Sequence, residues 1–339
     1  SMRLADGTLW PIPVTLDVAA EVAESLSVGD SVAVRDGEGL MLAAMTVGEI
    51  WQPDRGAEVE AVFGNADPSH PGAAQYLHRS RPWAIAGRLE SLELPVHHDY
   101  RELRLTPEEL RRKFSRLGWR RVLAFQTHRS IHRAQQAAMI EAAREAGANI
   151  LIHPTVGLDQ PGDADHYTRV RCYQALMPHF PKFIARLNLL PLAMRGGGAR
   201  EALHHTIVHR NYGCTHLMVD LDGEGSILDT PGAPSYARSE AADLVAAHAD
   251  ELGVEWVPAK DTVYLEHRKV FVPVEQVPED GRILRLTAEQ IRKRLDDGRE
   301  IPSWYTYPSV ASELQRRHPT RGSQGFTVFF TGLSGSGKS

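Results

Sequence analysis

The stretch RVLAFQT (121–127), with SIHRAQQAAMIEAAREAG (130–147) and NILIHPTV (149–156) behind it, decides the fold of this chain of 339 residues. Two short apolar runs on either side of a helix-length segment are typical of parallel strands joined by a crossover helix. The alternation continues through DHYTRVRCYQALMPHF (165–180), LLPLAM (189–194), AREALHHTIVHRNYG (199–213) and HLMVDL (216–221). We therefore predict a doubly wound α/β domain over 105–262, with ligands beyond the carboxyl ends of its strands.

The regions on either side of this domain follow other patterns. Short strands and turns over 1–104, with a turn at 36–39, predict a small β-barrel-like domain from TLWPIPVTL (8–16), SVAVRDGEGLMLAAMTV (31–47) and AIAGRLESLELP (84–95). A capping box of Thr106 and Glu109 opens the central domain, and Thr287 with Gln290 predicts a second capped helix within a small α+β region over 263–320. A linker and a last strand make up 321–339.

Composition excludes several classes of function. The formal net charge is −5 and the basic residues are scattered, which argues against a nucleic-acid partner. No apolar run reaches the roughly 18 residues of a membrane span, so no membrane partner is expected. The two cysteines, Cys172 and Cys214, are predicted to be buried thiols in a reducing cytoplasm.

The segment GFTVFFTGLSGSGKS (325–339) places the motif G-x-x-x-x-G-K-[ST] directly after a strand. In such a loop the backbone N–H groups bind phosphate, while Lys338 would bind the outer phosphates of ATP and Ser339 would help hold Mg²⁺. A chance match is the alternative, and the preceding strand favours the functional interpretation. The predicted nucleotide-binding residues are Gly332, Leu333, Ser334, Gly335, Ser336, Gly337, Lys338 and Ser339. Without a following helix and the rest of a kinase, this fragment is not expected to phosphorylate a substrate.

Segments spread along the chain resemble ATP sulfurylases (sulfate adenylyltransferases): DGTLWPIPVTLDV, FQTHRSIHRAQ, IHPTVG, LPLAMRGGGAREALHHTIVHRNYGCTHLMV, VYLEHRKVFVP and GREIPSWYTYP. The terminal segment resembles the P-loop of adenylylsulfate (APS) kinases, which are fused behind a sulfurylase in some organisms. The resemblance implies a PUA-like first domain, a nucleotidyltransferase second domain, ATP and adenylylsulfate as ligands, and homo-oligomers that include hexamers. Apart from Mg²⁺ with ATP, it implies no tightly bound cofactor.

The motifs of that family are altered here. Its pattern Q-T-R-N-P-x-H-R-A-H is matched by Gln126, Thr127, His132 and Arg133, but His128, Arg129, Ser130 and Gln135 depart from it. In its G-R-D-H-A-G pattern, a cation and a histidine are replaced by Leu221 and Gly223, beside Asp220 and Glu224. Losing one oriented donor costs roughly 10²- to 10³-fold in rate, so a combined loss of about 10⁴-fold is expected.

We therefore predict that sulfurylase activity is weak or absent and that this region is a scaffold or regulatory part of a two-domain APS kinase, a transferase. The alternative is an active bifunctional sulfate adenylyltransferase/APS kinase, in which His128, Arg129 and the acidic loop DLDGEG (220–225) act in an altered geometry.

Several residues keep two interpretations. His132 is either a phosphate ligand or a polar residue at a helix start. His205 and His209 have metal-compatible spacing, but a solvated or capping role is favoured over zinc. Arg195 and the three glycines after it form either a loop that approaches phosphate, which is favoured, or a turn; His153 and Gly157 have the same status.

Overall fold

The computed structural model describes residues 2–64, 70–90, 93–157, 165–219 and 236–317. The chain divides into two compact units. The first unit comprises Ser1–Arg129, Ala138–Pro161 and Pro181–Asp261. The second unit comprises Ser130–Ala137, Gly162–Phe180 and Thr262–Ser339.

The first unit begins with an antiparallel sheet in the order β1-β4-β3-β2. A turn at 36–39 joins β2 to β3 as predicted, and the backbone N–H of Gly39 donates to the carbonyl of Asp36. The predicted strand at 8–16 is wrong, because Pro11 and Pro13 interrupt the N–H donors that a strand needs. The elements are β1 (Leu16–Val18), α1 (Ala20–Ser25), β2 (Ser31–Arg35), β3 (Met41–Trp51), α2 (Arg55–Phe63), α3 (Pro71–Arg79) and β4 (Trp83–Glu90).

A second sheet of five parallel strands confirms the predicted α/β architecture. Its order is β7-β6-β5-β8-β9, so the chain builds outward from β5 on one side and then crosses to β8 on the other. The point between β5 and β8 is where such sheets bind ligands at their carboxyl edge. The strands are β5 (Val122–Gln126), β6 (Asn149–Ile152), β7 (Ala185–Leu187), β8 (His216–Val219) and β9 (Glu255–Trp256).

The helices of this region begin at the predicted signals. The Thr106 hydroxyl accepts from the backbone N–H of Glu109, and the Glu109 carboxylate accepts from the backbone N–H of Thr106. These two bonds confirm the predicted capping box. Asp165 caps the helix that follows it. The helices that lie wholly in the first unit are α4 (Pro107–Arg116), α7 (Gly198–Asn211), α8 (Tyr236–Ala247) and α9 (Ala249–Leu252). Helix α6 (His166–Leu176) lies in the second unit, and α5 (Arg133–Ala146) is divided between the two.

The strand predicted at 189–194 is wrong. The third strand of the sheet is β7, just upstream, while Leu190 makes an isolated parallel bridge to Thr155. Pro191 has no N–H to extend that ladder, so the chain leaves the sheet there. Leu189 and Leu190 are nevertheless buried, which explains their apolar character.

The core of the first unit lies between the parallel sheet and its helices. Leu123, Leu151 and Leu217 from three neighbouring strands are fully buried, as is Leu203 from α7. Cys172 in the second unit and Cys214 in the first are buried free thiols, as predicted, and burial raises the pKa of Cys172 to about 11.

The second unit contains a three-stranded antiparallel sheet in the order β11-β10-β12. Its predicted capping box is confirmed, since Thr287 accepts from the backbone N–H of Gln290. Arg171 on α6 pairs with Glu313 on α11 at 2.9 Å. None of the described helices is long and apolar enough to cross a membrane. The elements are β10 (Thr262–Leu265), β11 (Val270–Pro273), β12 (Ile283–Leu284), α10 (Ala288–Asp296) and α11 (Pro308–Arg317), with 3-10 turns at Met177–His179 and Val274–Gln276. A further 3-10 turn, Arg101–Leu103, lies in the first unit.

Candidate functional site

The carboxyl end of β5 carries four of the predicted site residues of the first unit. Gln126 ends the strand and Thr127 follows it, and both side chains are buried. The Thr127 hydroxyl accepts from the backbone N–H of Arg129 at 3.1 Å, which closes a tight turn. His128 and Arg129 lie on this turn and are half-buried. The turn therefore places two basic residues at the carboxyl edge of the sheet, where ligands are expected.

Gln126 is joined to helix α7 by a buried hydrogen bond. Its amide Nε2 donates to Nδ1 of His205 at 2.9 Å, so the remaining proton of that imidazole is on Nε2. His205 Nε2 lies 3.5 Å from Oε1 of Glu201. Burial, and to a lesser extent the nearby basic groups of His209, His204 and Arg195, lower the pKa of His205 well below its ordinary value, so the ring is neutral. A polar chain thus runs from the strand end to Glu201.

Glu201 binds the loop that precedes α7. Its Oε1 accepts from the backbone N–H of Arg195 at 2.6 Å, and its Oε2 accepts from that of Gly197 at 2.8 Å. The Arg195 guanidinium donates to the carbonyl of Pro13 at 3.0 Å. The loop predicted to approach phosphate therefore uses these amide groups to bind a carboxylate of the chain itself.

Two further histidines lie inside the first unit. His153 contacts Asn188 at 3.3 Å and packs edge-on against His209 and Tyr212, with ring centroids 5.1 Å and 4.6 Å apart. The preferred solvated or capping role for His205 and His209 is wrong: both are buried, because α7 lies within the core. Burial lowers the pKa of His209 to about 4. No group of three metal-ligating side chains occurs among the residues that the structure describes.

Gly157 permits a close approach of two segments beyond the sheet. A Cβ atom at this position would lie 2.4 Å from the carbonyl oxygen of Leu192 and 2.9 Å from the Cα atom of Ala193. Only glycine can be accommodated at such distances without a shift of the backbone. The chain after β6 is thereby held against the segment that leads to Arg195.

His132 and Arg133 belong to the second unit. The backbone N–H of His132 donates to Oε1 of Gln135, and the imidazole packs on Tyr305 with centroids 4.4 Å apart. Burial lowers the pKa of His132 to about 4, so its ring carries no charge at neutral pH. The Arg133 guanidinium donates to the carbonyl of Ser303 at 2.7 Å and lies 4.9 Å from the ring centroid of Tyr307.

The remaining predicted residues lie outside the described part of the chain. These are Leu221 and Gly223, and the whole phosphate-binding loop at 332–339, including Lys338 and Ser339. The proposed Mg²⁺ contact of Ser339 is therefore not tested by the structure. The boundaries predicted for the four regions of the chain also stay predictions.

The helix-flanked parallel sheet, with polar and basic groups where its strand order reverses, defines a doubly wound α/β protein, a class whose ligand sites lie at that edge of the sheet. Comparison with known families is more specific. A family model described as ATP-sulfurylase matches residues 101–317, and one described as a PUA-like domain matches residues 1–94. The chain belongs to the ATP-sulfurylase family, and its predicted PUA-like domain is confirmed.

Individual relatives agree with this assignment. A protein of Phaeosphaeria nodorum named sulfate adenylyltransferase is 45% identical over 99% of the chain, and one of Mycosarcoma maydis with the same name is 43% identical over 100%. The chain spans 59% of the length of each of these relatives. A solved structure titled "Hexameric APS kinase from Thiobacillus denitrificans" is 36% identical, with a TM-score of 0.75 over 99% of the chain and 59% of that structure.

These comparisons contradict the prediction that the sulfurylase-like region is a degenerate scaffold. Curated relatives that are 43–45% identical along nearly the whole chain are named sulfate adenylyltransferase, which favours the active bifunctional alternative. The predicted loss of activity gave too much weight to single positions within two short motifs. Gln135, counted as a missing histidine, has a structural role as a helix cap.

Sequence reasoning also missed Glu201. Its spacing of four residues from His205 on a predicted helix was a usable signal, because side chains at i and i+4 lie on one face.

Proposed function

We propose that this chain is the adenylyl-transferring part of a bifunctional sulfate adenylyltransferase/APS kinase. The observation that carries this proposal is the similarity of 43–45% to curated sulfate adenylyltransferases along nearly the whole chain. The reaction joins sulfate to the adenylyl group of ATP and releases pyrophosphate. Because the chain spans 59% of those relatives, the activity of the whole protein is part of the proposal.

The chemistry brings two anions together. An oxygen of sulfate attacks the α-phosphorus of ATP, the bond to the bridging oxygen breaks, and pyrophosphate leaves with the electron pair. Catalysis requires positioning of both anions and stabilisation of the negative charge on the α-phosphate oxygens. Arg129 carries a planar guanidinium group, whose N–H donors suit phosphate oxygens, and it lies on the turn after β5, so we assign it to this charge, with His128 beside it. His153 and His205 are buried and neutral, and are assigned no part in proton transfer.

A second activity is favoured by the phosphate-binding motif at 332–339 and by the similarity to the solved structure named as an APS kinase. In this proposal the motif opens a kinase domain that phosphorylates adenylylsulfate with MgATP. Lys338 would bind phosphate, and Ser339 would help hold Mg²⁺, which supplies positive charge at the transferred phosphate. Self-association is proposed as well, since that relative is described as hexameric. The cytoplasmic location stays a prediction.

The test is an assay of ATP formation from adenylylsulfate and pyrophosphate by the full-length protein. Wild-type turnover is expected, with a loss of about 10²-fold or more in Arg129→Ala. Arg144→Ala is the matched control, because Arg144 is an exposed arginine of α5, away from the carboxyl edge. Absence of turnover in the wild type would overturn the proposal. Equal rates for wild type and Arg129→Ala would overturn the role given to Arg129.

A further inference from the structure

A buried carboxylate and a buried imidazole join the loop at 195–198 to the end of β5. Glu201 and His205 are each 1% exposed, and Gln126 is fully buried. Gln126 and His205 lie 79 positions apart in the chain, so the tertiary fold alone brings them together. Burial of three polar side chains is costly unless their groups are hydrogen-bonded to one another.

The loop has the backbone geometry of an anion-binding nest. Gly196 and Gly198 have φ angles of +75° and +54°, in the left-handed region that favours glycine. Alternation of such conformations turns successive N–H groups toward one point. At that point lies the Glu201 carboxylate, which accepts from the N–H groups of Arg195 and Gly197. Burial raises the pKa of Glu201 above its ordinary value, and these backbone N–H groups oppose part of that rise.

His205 connects the Glu201 carboxylate to Gln126 at the end of β5. Its Nε2 lies near Oε1 of Glu201, and its Nδ1 accepts from Gln126, so the imidazole has a fixed tautomer and ring orientation. The Gln126 amide is therefore also fixed, with Nε2 toward His205. Among the described residues, Oε1 of Gln126 is a buried atom with no hydrogen-bond partner.

We infer that Glu201 and His205 are positioning residues for adenylyl transfer, Glu201 by fixing the loop at 195–198 and His205 by orienting Gln126 at the carboxyl end of β5. The inference rests on the proposed function. In this inference the loop amides bind the Glu201 carboxylate, at the position where the sequence analysis predicted a phosphate. Partners that orient active-site groups in this way commonly change activity by about 10- to 100-fold when removed.

Two variants test separately the bond of Glu201 to the loop at 195–198 and the bond of His205 to Gln126. Glu201→Gln replaces one acceptor oxygen by an N–H donor, so one loop amide loses its acceptor. In His205→Asn the asparagine side chain is too short to reach both Gln126 and Glu201, whereas the loop amides stay bound to Glu201. Thr206→Val is the control, because Thr206 is equally buried on α7 but donates to the carbonyl of Ala202, away from the loop.

The experiment combines amide hydrogen exchange with kinetics of ATP formation from adenylylsulfate, using full-length protein and correcting for the folded fraction. Glu201→Gln is expected to speed exchange at Arg195 or Gly197, at whichever of the two amides loses its acceptor, and to lower kcat/KM by about 10-fold or more. His205→Asn is expected to lower kcat/KM similarly with exchange at those amides unchanged. Thr206→Val is expected to change neither, although its melting temperature falls.

Each contrary result has a distinct meaning. Unchanged exchange in Glu201→Gln overturns the loop-fixing link, whereas faster exchange with unchanged kcat/KM overturns the positioning role. If all three variants lose activity only in proportion to unfolded protein, both residues are merely structural and the inference fails. Absence of turnover in the wild type overturns the proposed function itself, and the positioning role with it.

Discussion

The backbone N–H of His132 donates to the side-chain oxygen of Gln135 at 3.1 Å, immediately before helix α5. This bond satisfies one of the donors that a helix start leaves unpaired. A residue that differs from its family's motif at a proposed ligand position is thus used to begin the helix. Its replacement has consequences for stability that can be measured.

Gln135→Ala is expected to lower the free energy of unfolding by about 1 kcal/mol, because the N–H of His132 loses its acceptor. Urea denaturation measures this change. Gln315→Ala is the control, since Gln315 is exposed on α11 of the same unit and is expected to change stability little. Equal effects of the two substitutions would show that the bond to His132 contributes nothing to stability.

Gly157→Ala is expected to destabilise the protein by about 1–3 kcal/mol. The added Cβ would lie 2.4 Å from the carbonyl oxygen of Leu192, a rigid backbone atom. The control is Gly37→Ala, because a Cβ on Gly37 would meet no atom within 4 Å. Chemical denaturation of both variants tests the prediction, and a wild-type midpoint for Gly157→Ala would contradict the close approach.

The buried histidines make stability depend on pH in a definite direction. The pKa of His209 is about 4 in the folded protein, against an ordinary value of 6.5. Between these values the unfolded chain binds a proton that the folded chain does not, so stability is full above about pH 6.5 and falls as the pH decreases toward 4. The contribution of this one ring is about 2 kcal/mol between about pH 7.5 and pH 5.

His209→Asn is expected to flatten the pH dependence of the unfolding free energy by that amount, even though the variant is less stable at neutral pH. His267→Asn is the control for the exchange of a histidine for an asparagine, because His267 lies at an exposed position. A slope unchanged in His209→Asn would mean that this ring does not titrate differently on folding.

Arg133→Lys is expected to lower stability by about 1 kcal/mol. The planar guanidinium lies over the rings of Phe271 and Tyr307 and also donates to Ser303, an arrangement that an ammonium group does not reproduce. Arg292→Lys, at an exposed position of α10, is the matched control. Thermal unfolding compares the two, and equal melting temperatures would argue against the stacking contribution.

Local patterns were sufficient for part of the fold and of the candidate site. The parallel sheet, the caps at Thr106 and Thr287 and the turn at 36–39 were predicted because each depends on residues close together in the chain. The strand at 189–194 was not predicted correctly, because buried leucines there resemble a strand although Pro191 interrupts the ladder. Helices α2 and α3 were missed because their helical signals lay between stronger turn signals.

The sequence by itself determined the α/β architecture, the buried thiols and membership of the ATP-sulfurylase family, because periodicity, capping and motif similarity are written in neighbouring residues. Only the tertiary structure decided that His205 and His209 are buried and that Glu201 lies in the loop at 195–198. It also decided that Gln126 is held by a residue 79 positions away. Burial and side-chain pairing depend on which elements the fold brings together, and no local pattern specifies that.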